Sequence, residues 1–187
     1  MHSEAALIEQ CRRGEEQAFR RLVEIHKERV WRTVAGMLGE DGAEDVAQEV
    51  FIRCFRKLDQ FKGESSFGTY LTRIAINLSL NELKRRKRRQ ERFLALDGMS
   101  HPPQVQDPAD PAQRWEQRQW IGQALQQLPP EQRAVVVLRL VEGHSVAETA
   151  ELLQLPPGTV ASRLARAQLK LRELLQPLVG ASPEPPE

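Results

Sequence analysis

The stretch SVAETAELLQLPPGTVASRLARAQLKLREL, Ser145–Leu174, decides how the chain is read. Ser145 stands three residues before Glu148, the spacing at which a hydroxyl and a carboxyl can each satisfy a free amide of a helix start. The short helix that follows turns Val146, Ala150 and Leu153 inward and breaks at Leu155-Pro156-Pro157-Gly158. Thr159 then opens a second helix. At 100° per residue, Val160, Leu164, Ala167, Leu171 and Leu175 fall in a stripe roughly 80° wide, with Thr159, Ser162, Arg163, Arg166 and Lys170 roughly opposite. Two short helices around a tight turn, the second with one greasy and one donor-rich face, form a helix-turn-helix pattern suited to a major groove. An ordinary amphipathic hairpin with a solvated basic face has the same pattern.

Outward from this pair, the rest of the chain also repeats with helical spacing. Periodicity predicts helices at about 4–13, 15–37, 42–60 and 66–92, then 112–127, 130–142, 145–153 and 158–175. No alternating strand pattern appears, so the fold class is all-α. Between the blocks, LALDGMSHPPQVQDPADPAQ (94–113) holds four prolines and three aspartates without one Lys or Arg. The expected organisation is an N-terminal helical domain (1–93), a Pro-rich acidic linker (94–111), a helix-turn-helix domain (112–179) and a frayed tail (180–187).

Composition narrows the function. The chain of 187 residues is 40% apolar and 28% charged, the balance of a folded protein. The net charge of +1 conceals a segregation: residues 62–92 carry nine Lys or Arg against three Glu. Concentrated cations are what phosphate contact needs. Cys11 and Cys54 lack metal-ligand or disulfide spacing, which points to a reducing, cytoplasmic setting, and no apolar run is long enough to predict a membrane contact. His2, His26, His101 and His144 are scattered, with no constellation for catalysis, metal or cofactor binding.

Two N-terminal helices carry the remaining candidates. From Ala43 to Leu58, one half of the wheel holds Val46, Val50, Phe51, Cys54, Phe55 and Leu58, the other Asp45, Gln48, Glu49, Ile52, Arg53 and Arg56. Ile52 on the polar side is either a docking feature or a lone surface residue. In the next helix, Phe67, Tyr70, Leu71, Ile74 and Leu78 form a core face, and Arg73, Asn77, Lys84 and Arg88 lie in an arc roughly 60° wide elsewhere. The helix ends in six consecutive cations, Lys84–Arg89, which repel one another unless an anion is near. Ahead of it, FKGESSFGTY (61–70) combines glycines, hydroxyls and aromatics, a composition able to hold an unstacked base.

Taken in order, GEEQAF (14–19), AEDVAQEVFIRCFRKLDQF (43–61), FGTYLTRIAINL (67–78), LPPEQRAVVVLRLVEGHS (128–145) and LPPGTVASRL (155–164) resemble the extracytoplasmic-function, or group IV, sigma factors of bacterial RNA polymerase. The resemblance runs from about Ala5 to Leu175. It implies a region 2 domain over 5–92 and a region 4 domain over 112–175, with no room for the family's other domains. It further implies that Asp45, Gln48, Glu49, Ile52 and Arg53 dock on the polymerase β′ clamp. The unpaired strand of the -10 element would be captured by Lys62, Ser65, Ser66, Phe67, Thr69, Tyr70, Arg73, Asn77 and Asn81, with Lys84, Arg85 and Arg88 on phosphates. Thr159, Ser162, Arg163, Arg166 and Lys170 would read the duplex -35 element, the linker would thread toward the RNA exit path beside β, and an anti-sigma factor would regulate the whole. Three residues depart from the family pattern. Tyr70 replaces a usual Trp, and Ala161 and Ala165 replace larger or cationic residues, so shape or phosphate readout would carry more of the -35 specificity.

A stand-alone helix-turn-helix regulator, with the N-terminal half as sensor or dimerisation domain, is the main rival. An RNA-binding adaptor that uses the basic run lacks any RNP, KH or OB signature. An enzyme has the least support.

Overall fold

The computed structural model describes residues 3–97 and 113–179, and all regular structure within them is helical. The elements are α1 (Glu4–Arg12), α2 (Glu16–Leu38), α3 (Ala43–Arg56), α4 (Phe67–Asp97), α5 (Gln113–Gln126), α6 (Pro130–Val136), α7 (Val146–Leu153) and α8 (Pro157–Val179). The predicted helix over 42–60 ends at Arg56, and a 3-10 turn covers Leu58–Gln60. Helix α4 runs to Asp97, into the segment expected to be linker. The rest of that segment from residue 98, and the tail from 180, lie outside the described residues.

In the N-terminal half, α1 to α4 enclose Leu22, Val30, Val34, Met37, Val50, Cys54, Phe67, Leu71 and Ile76, all nearly inaccessible. The α3 face is narrower than its periodicity suggested. Phe55 is 52% exposed and meets Phe19 edge-on at 4.9 Å. The reason is position: Phe55 lies at the margin of the apolar half-wheel, and no neighbouring helix extends over it except at Phe19.

In the C-terminal half, Leu125, Leu128, Val136 and Ala167 form one small cluster and Val135, Ala150 and Val160 another. The capping box is formed as expected: Ser145 Oγ accepts from Glu148 N at 3.1 Å, and Glu148 Oε2 accepts from Ser145 N at 2.7 Å. The turn of the helix-turn-helix hinges one residue earlier than the prolines suggested. Gln154 adopts the left-handed conformation (φ 54°), and Leu155 N then donates to Ala150 O at 2.9 Å, closing the end of α7. Pro157 opens α8, where a missing amide hydrogen costs nothing.

The predicted helix over 130–142 changes form midway. After Val136 it continues as a π turn, Val137–Val141, whose wider ring is closed by Glu142 N donating to Val137 O at 2.9 Å. This turn packs on α2. Ala134, Val137, Leu138 and Leu152 belong to the same buried cluster as the N-terminal core. A Cβ built on Gly36 would lie 2.9 Å from Val137 Cγ2, so the glycine permits the close approach of the two halves.

Candidate nucleic-acid and polymerase interface

Three surfaces carry the candidate residues, and each is set by its helix. On α3, Asp45, Gln48, Ile52 and Arg53 are exposed and Glu49 is half-buried. Ile52 is 45% exposed, and with Phe55 it makes the face partly apolar. The undecided isoleucine is therefore not alone: two large apolar side chains share an exposed surface with acidic and amide groups, a mixture suited to docking a protein.

The second surface is the outer face of α4. Arg73, Asn77, Asn81, Lys84 and Arg88 recur at spacings of three and four and are all exposed. Beyond them, Asn81, Lys84, Arg85, Arg88, Arg89 and Arg92 line one shallow groove. The cation run is partly neutralised from within. Glu82 accepts from Arg86 Nε at 3.1 Å and pairs with Arg85 Nε at 2.7 Å. Burial pushes the Glu82 carboxyl up, but these two guanidiniums outweigh it and hold it below the usual range. Lys84, Arg88 and Arg89 have no carboxylate within 4.0 Å among the described residues, which leaves them for phosphate.

The loop before α4 is held by the core beneath it. Arg12, at the end of α1, donates to the carbonyl of Phe61. Gly63 takes a positive φ of 76°, which lets the chain turn there. Ser66 Oγ accepts from Thr69 N at 3.1 Å and contacts Thr69 Oγ1 at 2.8 Å, so this hydroxyl caps the helix. Lys62 and Ser66 are exposed, while Ser65, Thr69 and Tyr70 are half-buried. The Tyr70 hydroxyl donates to Lys57 O at 3.4 Å, and burial raises its pKa.

Phe67 lies on the core face that periodicity predicted, and this corrects the -10 contact that the family resemblance implied for it. It is 2% exposed, edge-on to His26 at 5.3 Å and to Phe61 at 5.5 Å, so it cannot stack on a base without unfolding the start of α4. Its role is to anchor the loop. His26 Nε2 in turn bonds Glu4 Oε1 at 2.6 Å, tying α1 and α2 under the same point.

The third surface is on α8. Ser162 and Arg166 are exposed, as is Lys170, and Thr159 and Arg163 are half-buried. Ser162 Oγ donates to Thr159 O at 3.1 Å and Arg166 Nε to Ser162 O at 3.2 Å. These local bonds leave the hydroxyl free to accept and the remaining guanidinium N–H groups free to donate. Ala161 and Ala165 are exposed beside them and offer only methyl groups.

Sequence reasoning missed Arg133, which is 4% exposed. Its guanidinium donates to Gln126 O, to Leu128 O at 3.0 Å and to Gln126 Oε1 at 2.6 Å, and reaches the other half at Met37 O. Burial pulls its pKa down to about 10, still charged at neutral pH. The LPPEQ pattern (128–132) contains no signal for this, because every acceptor but Leu128 O lies outside it, in α5 or α2.

These features define the class as a two-module helical protein of the sigma-70 type: residues 22–89 match Sigma-70 region 2 and residues 118–171 match Sigma-70, region 4. RNA polymerase sigma-H factor of Pseudomonas aeruginosa is 35% identical over 181 residues, covering 92% of this chain and 94% of that protein. The ECF RNA polymerase sigma factor SigW of Bacillus subtilis is 33% identical, covering 91% and 96%. The chain belongs to the extracytoplasmic-function RNA polymerase sigma factors, and so is an alternative sigma factor. The structure of CnrH in complex with the cytosolic domain of CnrY shares the fold at a TM-score of 0.64 and 26% identity, over 94% of this chain and 97% of that one. RpoE of Bartonella quintana, in complex with the anti-sigma factor NepR, has a TM-score of 0.66 at 24% identity, over 84% and 96%. No described helix is long and apolar enough to cross a membrane.

Proposed function

We propose that α3 docks on core RNA polymerase through Asp45, Gln48, Glu49, Ile52 and Arg53, with Phe55 added, and that the two donor faces divide promoter recognition. The outer face of α4, with Lys62, Ser65, Ser66, Thr69 and Tyr70, takes the separated strand of the -10 element. Helix α8, through Thr159, Ser162, Arg163, Arg166 and Lys170, takes the duplex -35 element. The observation that carries this reading is the single exposed stripe Arg73, Asn77, Asn81, Lys84, Arg88, in which amides that read base edges continue into cations that neutralise phosphate. Holding an extruded base costs a few kcal/mol of unstacking, which the loop anchored by Phe67 recovers through prepaid ordering. Bond-making chemistry belongs to the polymerase. An anti-sigma factor is the proposed regulator, in keeping with the RpoE–NepR fold neighbour.

Run-off transcription with core polymerase over a pool of genomic promoters tests the reading. Transcripts should appear only when the protein is added, and exchanging Ser65, Ser66 and Asn77 should change which -10 sequences are used. A protein that binds its operators tightly without polymerase, and yields no transcript with it, is the stand-alone regulator instead.

A further inference from the structure

One member of the cation run on α4 stands apart from the others. At 100° per residue, Arg86 continues the stripe Leu71, Ala75, Ser79 and Glu82, at spacings of three and four, which is the face α4 turns to the core. Leu71, Ala75 and Ser79 are fully buried, and the Glu82 side chain is only 15% exposed. Lys84 and Arg88 lie roughly opposite, on the donor stripe. Where the buried face runs out, Arg86 Nε donates to Glu82 Oε1 at 3.1 Å. Its guanidinium comes to rest on Gly42. A Cβ built on that glycine would lie 2.9 Å from Arg86 Nη1 and 3.0 Å from Cζ, so the flat cation can seat there only because the position has no side chain.

The place it reaches is the start of the docking helix. Gly42 closes the 3-10 turn Glu40–Gly42 and is the N-cap of α3, and no side chain caps that helix start. The first turn of α3 therefore lacks the local bond that usually fixes where a helix begins. Three residues beyond Gly42 stands Asp45, the first of the residues assigned to polymerase docking. The helix dipole does not explain a cation here, since it favours anions at this end. The bond to Glu82 fixes Arg86 in position instead, and the acidic segment EDGAED (40–45) offsets its charge.

We propose that Arg86 is a positioning residue for polymerase docking: seated on Gly42, it fixes the first turn of α3, and it takes no part in phosphate contact although it stands within a run of six cations. The proposal rests on the assignment of docking to α3 given above.

Two measurements on the full chain separate this role from that of a phosphate ligand. The first is capture by core polymerase at 10 °C, where urea unfolding establishes that each variant is folded. Arg86→Ala and Gly42→Ala should each weaken capture at least about fivefold, the scale of one lost hydrogen-bonded charged contact. Arg86→Lys should not restore it, because an ammonium keeps the charge without the planar fork. The double variant Gly42→Ala, Arg86→Ala should capture no worse than Arg86→Ala, since both changes remove one contact. The Arg86 side chain is partly exposed and its far end is free to swing, so neither change deletes core; if one variant does unfold, the other carries the test.

The second measurement is the salt dependence of binding to single-stranded oligo(dT). Each phosphate neutralised contributes about 0.7 to the slope of log K against log salt. Lys84→Ala and Arg88→Ala should each lower the slope by about 0.7, and Arg86→Ala by less than about 0.2. A fall of about 0.7 for Arg86→Ala returns this residue to the phosphates and overturns the proposal. Recovery of capture by Arg86→Lys makes charge alone the cause and overturns it as well. Ile52→Ala gauges the docking assignment. If it is weakened while Arg86→Ala captures fully, only the positioning role is overturned; if Ile52→Ala itself captures fully, the docking assignment fails and the proposal with it.

Discussion

Replacing Phe67 separates an anchoring role from a base-stacking one. The side chain is 2% exposed and makes edge contacts with His26 and Phe61, 5.3 and 5.5 Å between ring centroids. Removing a buried phenylalanine to alanine costs about 3–5 kcal/mol, a transfer loss plus the cavity left behind. The two edge contacts, about 0.5–1.5 kcal/mol each beyond area burial, put Phe67→Ala near the upper part of that range, about 4 kcal/mol. With a urea dependence of about 2 kcal/mol/M for a domain of this size, the unfolding midpoint should fall by about 2 M. Phe67→Leu keeps most of the volume, costs about 1 kcal/mol, and should fall by about 0.5 M. Urea unfolding followed by circular dichroism at 10 °C gives both midpoints, and run-off transcription at the same temperature gives activity. The anchoring role predicts that Phe67→Leu retains promoter-directed transcription although its ring is gone. A Phe67→Ala midpoint within about 0.3 M of the parent, together with loss of transcription in both variants, would refute the reasoning and return the ring to the DNA.

Other consequences follow from single contacts. Ser145→Ala removes one half of the capping box and should cost about 0.5–2 kcal/mol, read as a lower unfolding midpoint of the C-terminal half. The backbone amide of Ser145 holds the Glu148 carboxyl below its ordinary range. Its folded pKa is the depressed one, so its stabilisation is present above the ordinary Glu range and lost as pH falls through the lowered value. Glu148→Gln should therefore narrow the stability difference between pH 7 and pH 3, and an unchanged difference would remove the carboxylate from the cap. Burial raises the Cys54 thiol to about 12 and also raises Cys11, so at pH 8 a thiol reagent should modify both only after denaturant unfolds the chain. Rapid labelling of the native protein would contradict their burial. Ile52→Ala, at an exposed position, should leave the unfolding free energy within about 0.5 kcal/mol, Phe55→Ala, which also loses its edge contact with Phe19, should cost about 1 kcal/mol, and each should weaken capture by core polymerase at least about tenfold. Full capture would move the docking face elsewhere.

The sequence by itself determined what depends on near neighbours along the chain. Helix positions, the Ser145–Glu148 box, the donor stripe of α4 and the two-faced α8 all follow from spacings of three and four, and a side chain's place on its own helix is a local property. The order of motifs also identified the family. Tertiary structure decided which of these faces is covered, because burial depends on elements far away in the chain. Phe55, on the apolar half-wheel of α3, stays exposed because little packs over it, whereas Phe67 is enclosed by residues from α2 and from the loop before α4. Leu152, off the inward face of its own helix, is buried in a core built mainly by residues 7–76. Arg133, Glu142 and Gly36 are unremarkable in sequence. They acquire meaning only where α2 and the π turn meet, since an orphan carbonyl, a desolvated carboxylate and a missing Cβ matter only once another segment is placed against them.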